Sequence, residues 1–236
     1  MPKTNEELTR ILDNRLKNAV PYARRRVDCA DEIIVFGSMA LGLERPDSDI
    51  DVLCVGECDY KLKTTSLDLI GVSTKTNANG VWLHSELASH IARYGVWVKG
   101  SPQWTTDASI DHYVVAEKRR RVMAFMKGLP HLWSRFEDCF RIKYSIKMRR
   151  ETQRLILLQR GVPIPPTRIL DDAWDSFSQS SNDIFQTLHG LSSSCSTGFV
   201  ADLLAKADEH LFANRHLSMK LSICSQIAAA GRKLHV

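Results

Sequence analysis

The chain has no apolar run near the roughly 20 residues that a membrane-spanning helix needs. Its first ten residues, MPKTNEELTR, lack the hydrophobic stretch of a signal peptide. Six cysteines are present, but none has paired zinc-site spacing, and the nearest approach, Cys54 and Cys58, has no second pair. Internal repeats and long low-complexity tracts are also absent. We therefore expect a cytoplasmic protein with no membrane partner and with reduced, mostly buried thiols.

The composition is that of a folded protein with an uneven distribution of charge. The 236 residues are 44% hydrophobic and 25% charged, which is enough for one large core or two modest ones. The net charge of +5 hides a basic segment: residues 113–170 contain fourteen Lys and Arg against four Asp and Glu. This segment could face a polyphosphate or a nucleic acid, or it could be an ordinary set of solvated helix faces.

Two different patterns divide the chain. Short apolar runs bounded by turn residues predict strands at 32–36, 50–56, 66–72 and 95–100, with helices at 5–27 and 85–94. Thr4 and Glu7 form a predicted capping box for the first helix. Beyond residue 110 only helical periodicity remains, over 111–127, 131–159, 167–188, 198–213 and 216–231. The breaks between these helices are predicted at 128–130 and 161–166.

The segment FGSMALGLERPDSDIDV, residues 36–52, carries the most specific pattern. Gly37 and Ser38 follow a buried strand and begin a helix, where unpaired backbone N–H groups and a hydroxyl can hold a phosphate. Asp49 and Asp51 lie two residues apart on the next strand, so both carboxylates project from one face. Such a pair either shares a proton or binds a hard cation, and we favour magnesium.

Asp68 supplies a third carboxylate from the strand at 66–72, whose Leu67 and Leu69 face the other way. A calcium loop formed by Asp47, Asp49 and Asp51 and beginning at Asp47 would need Gly at its sixth position and Glu at its twelfth, where the chain has Val52 and Cys58. The calcium loop is therefore excluded. A solvated acidic loop is the remaining alternative, but such loops rarely lie between two apolar strands.

This constellation resembles the polymerase-beta-like nucleotidyltransferase superfamily, whose pattern is Gly-Ser followed by Asp-apolar-Asp and a later strand carboxylate. The resemblance implies an α+β fold: a mixed β-sheet nucleotidyltransferase domain with flanking helices over residues 1–105, followed by an all-α helical bundle over 106–236. It also implies that Asp49, Asp51 and Asp68 are catalytic and bind two Mg²⁺ ions, which clamp a nucleoside triphosphate, with ATP as the one we expect. Gly37 and Ser38 would bind its phosphates.

The helical half could supply cations to the same triphosphate. Lys143 and Lys147 are four residues apart on a predicted helix, so their ammonium groups share one face. We predict that they reach the β- and γ-phosphates, although an ordinary solvated basic face would have the same spacing.

Three functions fit these residues. The leading hypothesis is transfer of a nucleoside monophosphate to a hydroxyl of a small molecule, because the compact two-part architecture resembles that of antibiotic nucleotidyltransferases. The second is transfer to RNA, such as a tRNA end, or to a protein hydroxyl; the basic residues 118–121 and Arg149, Arg150, Arg154 and Arg160 favour it. The third is a non-catalytic nucleotide-binding or antitoxin-type regulator, which would be expected to lose part of the motif.

Overall fold

The structure is a computed structural model that describes residues 3–45, 48–172, 181–191 and 195–215. The described part of the chain forms two compact units, divided between Ile110 and Asp111. The first contains the sheet and the second contains only helices. The predicted α+β class, with a mixed sheet followed by helices, is confirmed. The division lies five residues beyond the boundary predicted at 105. The assignment of a nucleotidyltransferase domain to 1–105 and of a separate helical domain to 106–236 stays a prediction.

The sheet unit begins with two helices and then alternates strands with short helices. The elements in chain order are α1 Asn5–Lys17, α2 Pro21–Asp28, β1 Glu32–Phe36, α3 Gly37–Ala40, β2 Ile50–Gly56, β3 Tyr60–Lys63, β4 Leu67–Ser73, α4 Thr74–Asn77, α5 Gly80–Leu83, α6 Glu86–Tyr94, β5 Val96–Lys99 and a 3₁₀ turn at Gln103–Thr106.

The five strands of the described chain form one mixed sheet in the order β3-β4-β2-β1-β5. Strands β2 and β4 are parallel, whereas the β3–β4, β1–β2 and β1–β5 pairs are antiparallel. The predicted strands correspond to β1, β2, β4 and β5. Strand β3 was not predicted, because its four residues, YKLK, are too few and too polar to form an apolar run.

The central strands are apolar on both faces because helices cover each side of the sheet. One cluster joins Leu8, Leu12 and Leu16 of α1 to alternate residues of the sheet such as Val35 and Val52. The other joins the intervening residues, such as Ile34 and Leu53, to Ala88 and Ile91 of α6 and to Trp104. This alternation fixes which side chains leave the core, and at the start of β2 and β4 those are carboxylates.

The N-terminal helices confirm one local prediction and correct another. The Thr4 side chain accepts from the Glu7 backbone N–H, and the Glu7 carboxylate accepts from Thr4 N at 2.8 Å, so the capping box is present. The single helix predicted over 5–27 is wrong, because the chain breaks after Lys17 and restarts at Pro21. Proline lacks the N–H that a continuous helix would need and is favoured in a first turn.

The helical unit contains α7 His112–Trp133, α8 Asp138–Gln159, α9 Thr167–Asp172, α10 Ser181–Leu191 and α11 Thr197–Arg215. Its core joins apolar faces of α7, α8, α10 and α11, with Met126, Met148, Leu188 and Leu203 at or near zero exposure. The apolar residues whose helical spacing predicted these helices therefore form the face that each helix buries.

Some predicted helix limits in this unit are wrong. The break predicted at 128–130 does not occur, because α7 continues through Gly128 and Pro130 while Met126 and Leu129 remain buried. The break lies instead at residues 134–137, so α8 begins at Asp138 rather than at 131. Within the predicted helix 167–188 the structure describes α9 and the greater part of α10; residues 173–180, like the predicted helix 216–231, lie outside the described residues.

None of the helices that the structure describes is both long enough and apolar enough to cross a lipid bilayer. The five described cysteines are free thiols. Cys54 and Cys195 are buried, whereas Cys29 and Cys139 are exposed, so the expectation of mostly buried thiols holds for only part of this set.

Candidate functional site

The turn after β1 brings backbone close to a carboxylate. Gly37 has φ of +72°, a conformation that side-chain-bearing residues rarely adopt. A Cβ atom at this position would lie 2.4 Å from Oδ2 of Asp51, well inside van der Waals contact. Glycine is therefore required here by both conformation and space, and it lets the start of α3 lie directly beside the carboxylate.

Strand β2 sets the positions of the first two acidic residues. Asp51 is opposite Phe36 in the antiparallel β1–β2 register, next to the Gly37 turn. Ile50 and Val52 are fully buried in the core on the other face. Asp49 immediately precedes the strand, and its side chain is 35% exposed. The pattern predicted from sequence, with apolar residues inward and both carboxylates on the opposite face, fits this arrangement.

Strand β4 contributes the third carboxylate. In the parallel β2–β4 register Asp51 and Asp68 are direct neighbours. One carboxylate oxygen from each of Asp49, Asp51 and Asp68 lies within 4.8 Å of the other two. The structure thus brings together the three acidic residues that the sequence singled out, in a cluster that could hold a metal ion.

The three like charges alter the ionisation of Asp51. Burial is the main cause that raises the pKa of this carboxyl to about 6, and repulsion from Asp49 and Asp68 raises it further. The nearby ammonium of Lys63 acts in the opposite direction. When Asp51 is ionised at neutral pH, the single ammonium of Lys63 does not balance the negative charges of the three carboxylates.

Lys63 is the residue of this site that the sequence analysis missed. Its Nζ donates to Asp68 Oδ2 at 2.6 Å and to Asp49 Oδ2 at 3.3 Å. Strand β3 places it there, because Lys63 pairs with Asp68 in the antiparallel β3–β4 register. The hydrogen bond to Asp68 is the main cause that raises the Lys63 pKa. Only recognition of the hairpin Tyr60–Ser73 would have revealed this contact from sequence.

The cluster also meets the requirements of an oxygen-coordinated divalent cation. The Asp68 side chain is only 11% exposed, and its Oδ1 is buried without a hydrogen-bond partner among the described residues. A buried carboxylate oxygen without a partner is costly, and a cation would satisfy it. Three carboxylates, two on the adjacent strands β2 and β4 and one directly before β2, are a ligand set suited to Mg²⁺ or Mn²⁺. The residues therefore fit the predicted metal.

The predicted phosphate-binding residues lie beside the carboxylates. Gly37 and Ser38 begin α3, which is only four residues long, so its dipole contributes little. Ser38 is half-buried, and its carbonyl accepts from Leu43 N at 2.9 Å, which holds the turn closed. Gly37 carries no side chain of its own, so the backbone of this turn lies directly beside the Asp51 carboxylate, and a phosphate held at the turn would lie next to the cluster.

The basic residues of the second unit are of two kinds. The four arginines cited in favour of RNA form ion pairs within the unit: Arg149 with Asp208, Arg150 with Asp171, Arg154 with Glu151 and Arg160 with Asp183. Lys118 pairs with Glu151 at 2.9 Å. Lys143 and Lys147 are exposed on α8, and Lys147 Nζ lies 4.3 Å from the centre of the Phe125 ring. Their contact with phosphate stays a prediction.

The similarity to a known protein family lies within the unit that contains the sheet. Residues 16–92 match the family model described as a nucleotidyltransferase domain, a span that contains Gly37, Ser38 and all three carboxylates. No curated protein matches the chain. Among solved structures, a nucleotidyltransferase-like protein from Exiguobacterium sibiricum 255-15 is 13% identical, with 91% of this chain and 86% of that chain covered. Its TM-score of 0.32 is too low to support an argument.

Proposed function

We propose that this chain, whose residues 16–92 match a nucleotidyltransferase domain, transfers a nucleoside monophosphate from a triphosphate to an acceptor hydroxyl in a divalent-metal-dependent reaction. The observation that carries the proposal is the carboxylate cluster of Asp49, Asp51 and Asp68 beside the Gly37 turn. A solvated acidic surface would not bury Asp68 or leave one of its oxygens without a partner among the described residues.

Each residue has a role that follows from its position. Asp49, Asp51 and Asp68 would hold Mg²⁺, which when bound neutralises charge on the phosphates and on the attacking and leaving oxygens. The Gly37 backbone and the Ser38 hydroxyl would hold phosphate oxygens. The buried side of the sheet keeps Asp51 and Asp68 fixed, so little reorganisation is needed during the reaction.

We propose ATP as the donor and a small-molecule hydroxyl as the acceptor. The ion pairs of Arg149, Arg150, Arg154 and Arg160 reduce the support that these residues gave to an RNA acceptor, because their charges are already compensated within the unit. The exposed Arg119 and Arg120 remain available on α7. RNA and protein are therefore tested as alternative acceptors in separate reactions.

The test is incubation of the purified protein with Mg²⁺ and each α-³²P-labelled nucleoside triphosphate. Separate reactions contain pooled antibiotics and other polyhydroxyl compounds, tRNA, or cell protein. Label on a small molecule that requires Mg²⁺ supports the proposal, and label on tRNA or protein would replace the acceptor that we propose. Absence of transfer in all arms, with a folded protein, would contradict the enzymatic function.

Variants separate the cluster from general charge effects. Asp49→Asn, Asp51→Asn and Asp68→Asn each remove a ligand at nearly constant volume, and we expect transfer to fall by about 100-fold or more. Asp107→Asn is the matched control, since Asp107 is an exposed acidic residue of the same unit outside the cluster. Equal losses in the control would indicate that the cluster has no special role.

The predicted role of Lys143 and Lys147 has its own test. If these side chains bind the β- and γ-phosphates, Lys143→Ala and Lys147→Ala weaken binding of a non-hydrolysable ATP analogue in isothermal titration. Lys127→Ala is the control, because Lys127 is exposed on the neighbouring helix α7. Unchanged affinity in both variants would remove the two lysines from the site.

A further inference from the structure

The ammonium of Lys63 already occupies part of the carboxylate cluster. It contacts Asp68 Oδ2 at 2.6 Å and Asp49 Oδ2 at 3.3 Å, so one cation is shared between two of the three predicted metal ligands. These contacts involve two of the three carboxylates that a metal ion would also need. The site therefore contains a competitor for metal that belongs to the chain itself.

The β3–β4 hairpin holds Lys63 opposite the cluster. The Thr64 hydroxyl accepts from the backbone N–H groups of Ser66 and Leu67, at 3.3 and 3.1 Å, and Thr64 N donates to Leu67 O at 2.8 Å. This tight turn keeps the backbone of Lys63 in register with Asp68. The position of Lys63 beside the carboxylates is thus a consequence of the sheet and not of side-chain flexibility.

The lysine side chain itself is free to leave. It is 59% exposed, whereas Asp68 is 11% exposed and cannot move away from the site. Lysine carries a strongly hydrated charge on a flexible stem, so withdrawal into water costs little. A divalent ion carries twice the charge and compensates the three carboxylates better than one ammonium.

We propose that Lys63 is a resident cation of the cluster, which stabilises Asp49 and Asp68 in the metal-free protein and withdraws from them when a divalent metal ion binds. The proposal rests on the proposed function to the extent that the cluster binds a metal. Lys63 is then a positioning residue that keeps three like-charged side chains together in the metal-free protein. A metal ion must compete with its ammonium for the carboxylates.

Binding of Mn²⁺, measured by electron paramagnetic resonance and by calorimetry, tests this directly. We expect Lys63→Met to bind Mn²⁺ about fivefold more tightly than the wild type, because the competing ion pair is gone. Lys61→Met is the matched control: it removes the same charge from the same face of β3, and Lys61 is exposed. We expect its affinity to differ from wild type by less than about twofold.

Two further readouts separate competition from a structural role. Lys63→Arg keeps the charge and the reach, so its Mn²⁺ affinity should stay close to that of the wild type. Without metal, Lys63→Met should have a lower Tm than Lys61→Met, and addition of Mn²⁺ should raise its Tm by more, because tighter binding stabilises the folded state more.

The possible results have distinct meanings. Equal Mn²⁺ affinity in Lys63→Met and Lys61→Met, or weaker binding in Lys63→Met, would overturn the role of Lys63 while leaving a metal-dependent function in place. Absence of Mn²⁺ binding in the folded wild type and in every variant would overturn the metal-dependent function and the proposal for Lys63 together.

Discussion

A methyl group on Gly37 would lie 2.4 Å from Oδ2 of Asp51, so the phosphate turn and the first strand carboxylate occupy adjoining space. Gly37 begins α3 directly after β1, whereas Asp51 lies on β2, and the β1–β2 register brings them together through the Phe36–Asp51 pair. Any side chain at position 37 would have to displace the carboxylate or open the turn. The Gly-Ser motif and the Asp-x-Asp motif are therefore one structural unit.

Gly37→Ala tests this relationship. We expect the free energy of unfolding to fall by about 3 kcal/mol, because alanine at positive φ and a close contact with Asp51 are both unfavourable. Gly161→Ala is the control: Gly161 has φ of +67°, but nothing lies within 4 Å of an added Cβ. This control should lose only about 1 kcal/mol. Urea denaturation measures both, and equal losses would show that the contact with Asp51 is unimportant.

Asp51→Asn is expected to stabilise the metal-free protein while it lowers transfer activity by about 100-fold or more. Between about pH 4 and pH 6 the folded protein retains on Asp51 a proton that the unfolded chain releases, so stability falls as pH rises through this window. The deficit persists above pH 6 and reaches up to about 3 kcal/mol. Asparagine removes it because its amide does not ionise.

Urea denaturation in the presence of a chelator measures this difference. We expect Asp51→Asn to exceed the wild type by about 1 to 3 kcal/mol near pH 8 and by little near pH 4. Asp107→Asn, at an exposed position outside the cluster, should show no such pH-dependent gain. A variant less stable than the wild type near pH 8 would contradict the destabilising role of the ionised Asp51.

Metal affinity should depend on pH for the same reason. A protonated carboxyl is a poor ligand, so Mn²⁺ binding should weaken by up to about tenfold per pH unit below pH 6 and level off above it. Dissociation constants measured in steps from about pH 5 to pH 8 give the profile. An affinity that is the same at pH 5 and pH 7 would exclude Asp51 as a ligand.

Arg149 is expected to be structural. Its side chain is 2% exposed and its Nε lies 2.7 Å from Asp208 Oδ1. Arg149→Ala leaves Asp208 without this partner, so we expect a loss of about 2 to 4 kcal/mol of unfolding free energy. Arg119→Ala, at an exposed position on α7, should change stability by less than about 0.5 kcal/mol. Similar small changes in both variants would show that Arg149 does not stabilise the unit.

The sequence predicted those parts of the site that follow from local rules. Alternation along β2 and β4 gave the shared face of Asp49, Asp51 and Asp68, since each strand is apolar enough to be recognised by itself. The Gly-Ser turn was recognisable because glycine at a strand end marks an unusual backbone conformation. These features depend on neighbours within a few residues.

Lys63 could not be predicted in the same way. Strand β3 pairs with β4, and its four residues, in which Lys61 and Lys63 alternate with Tyr60 and Leu62, are too few to be recognised as a strand by themselves. The same applies to Pro130, which is tolerated within α7 because Met126 and Leu129, in the turn before it, bury apolar surface. In both cases tertiary packing overrides the local preference.

The parallel pairing of Asp51 with Asp68 fixes the distance between two side chains through the backbone ladder of adjacent strands. With the backbone positions fixed, the length of each acidic side chain determines how far its carboxylate extends into the site. Glutamate would carry the same charge but advance its carboxylate by one methylene, about 1.5 Å, beyond the roughly 0.5 Å within which a catalytic constellation must be held. This sheet therefore accepts aspartate at both positions for reasons of length as much as of charge.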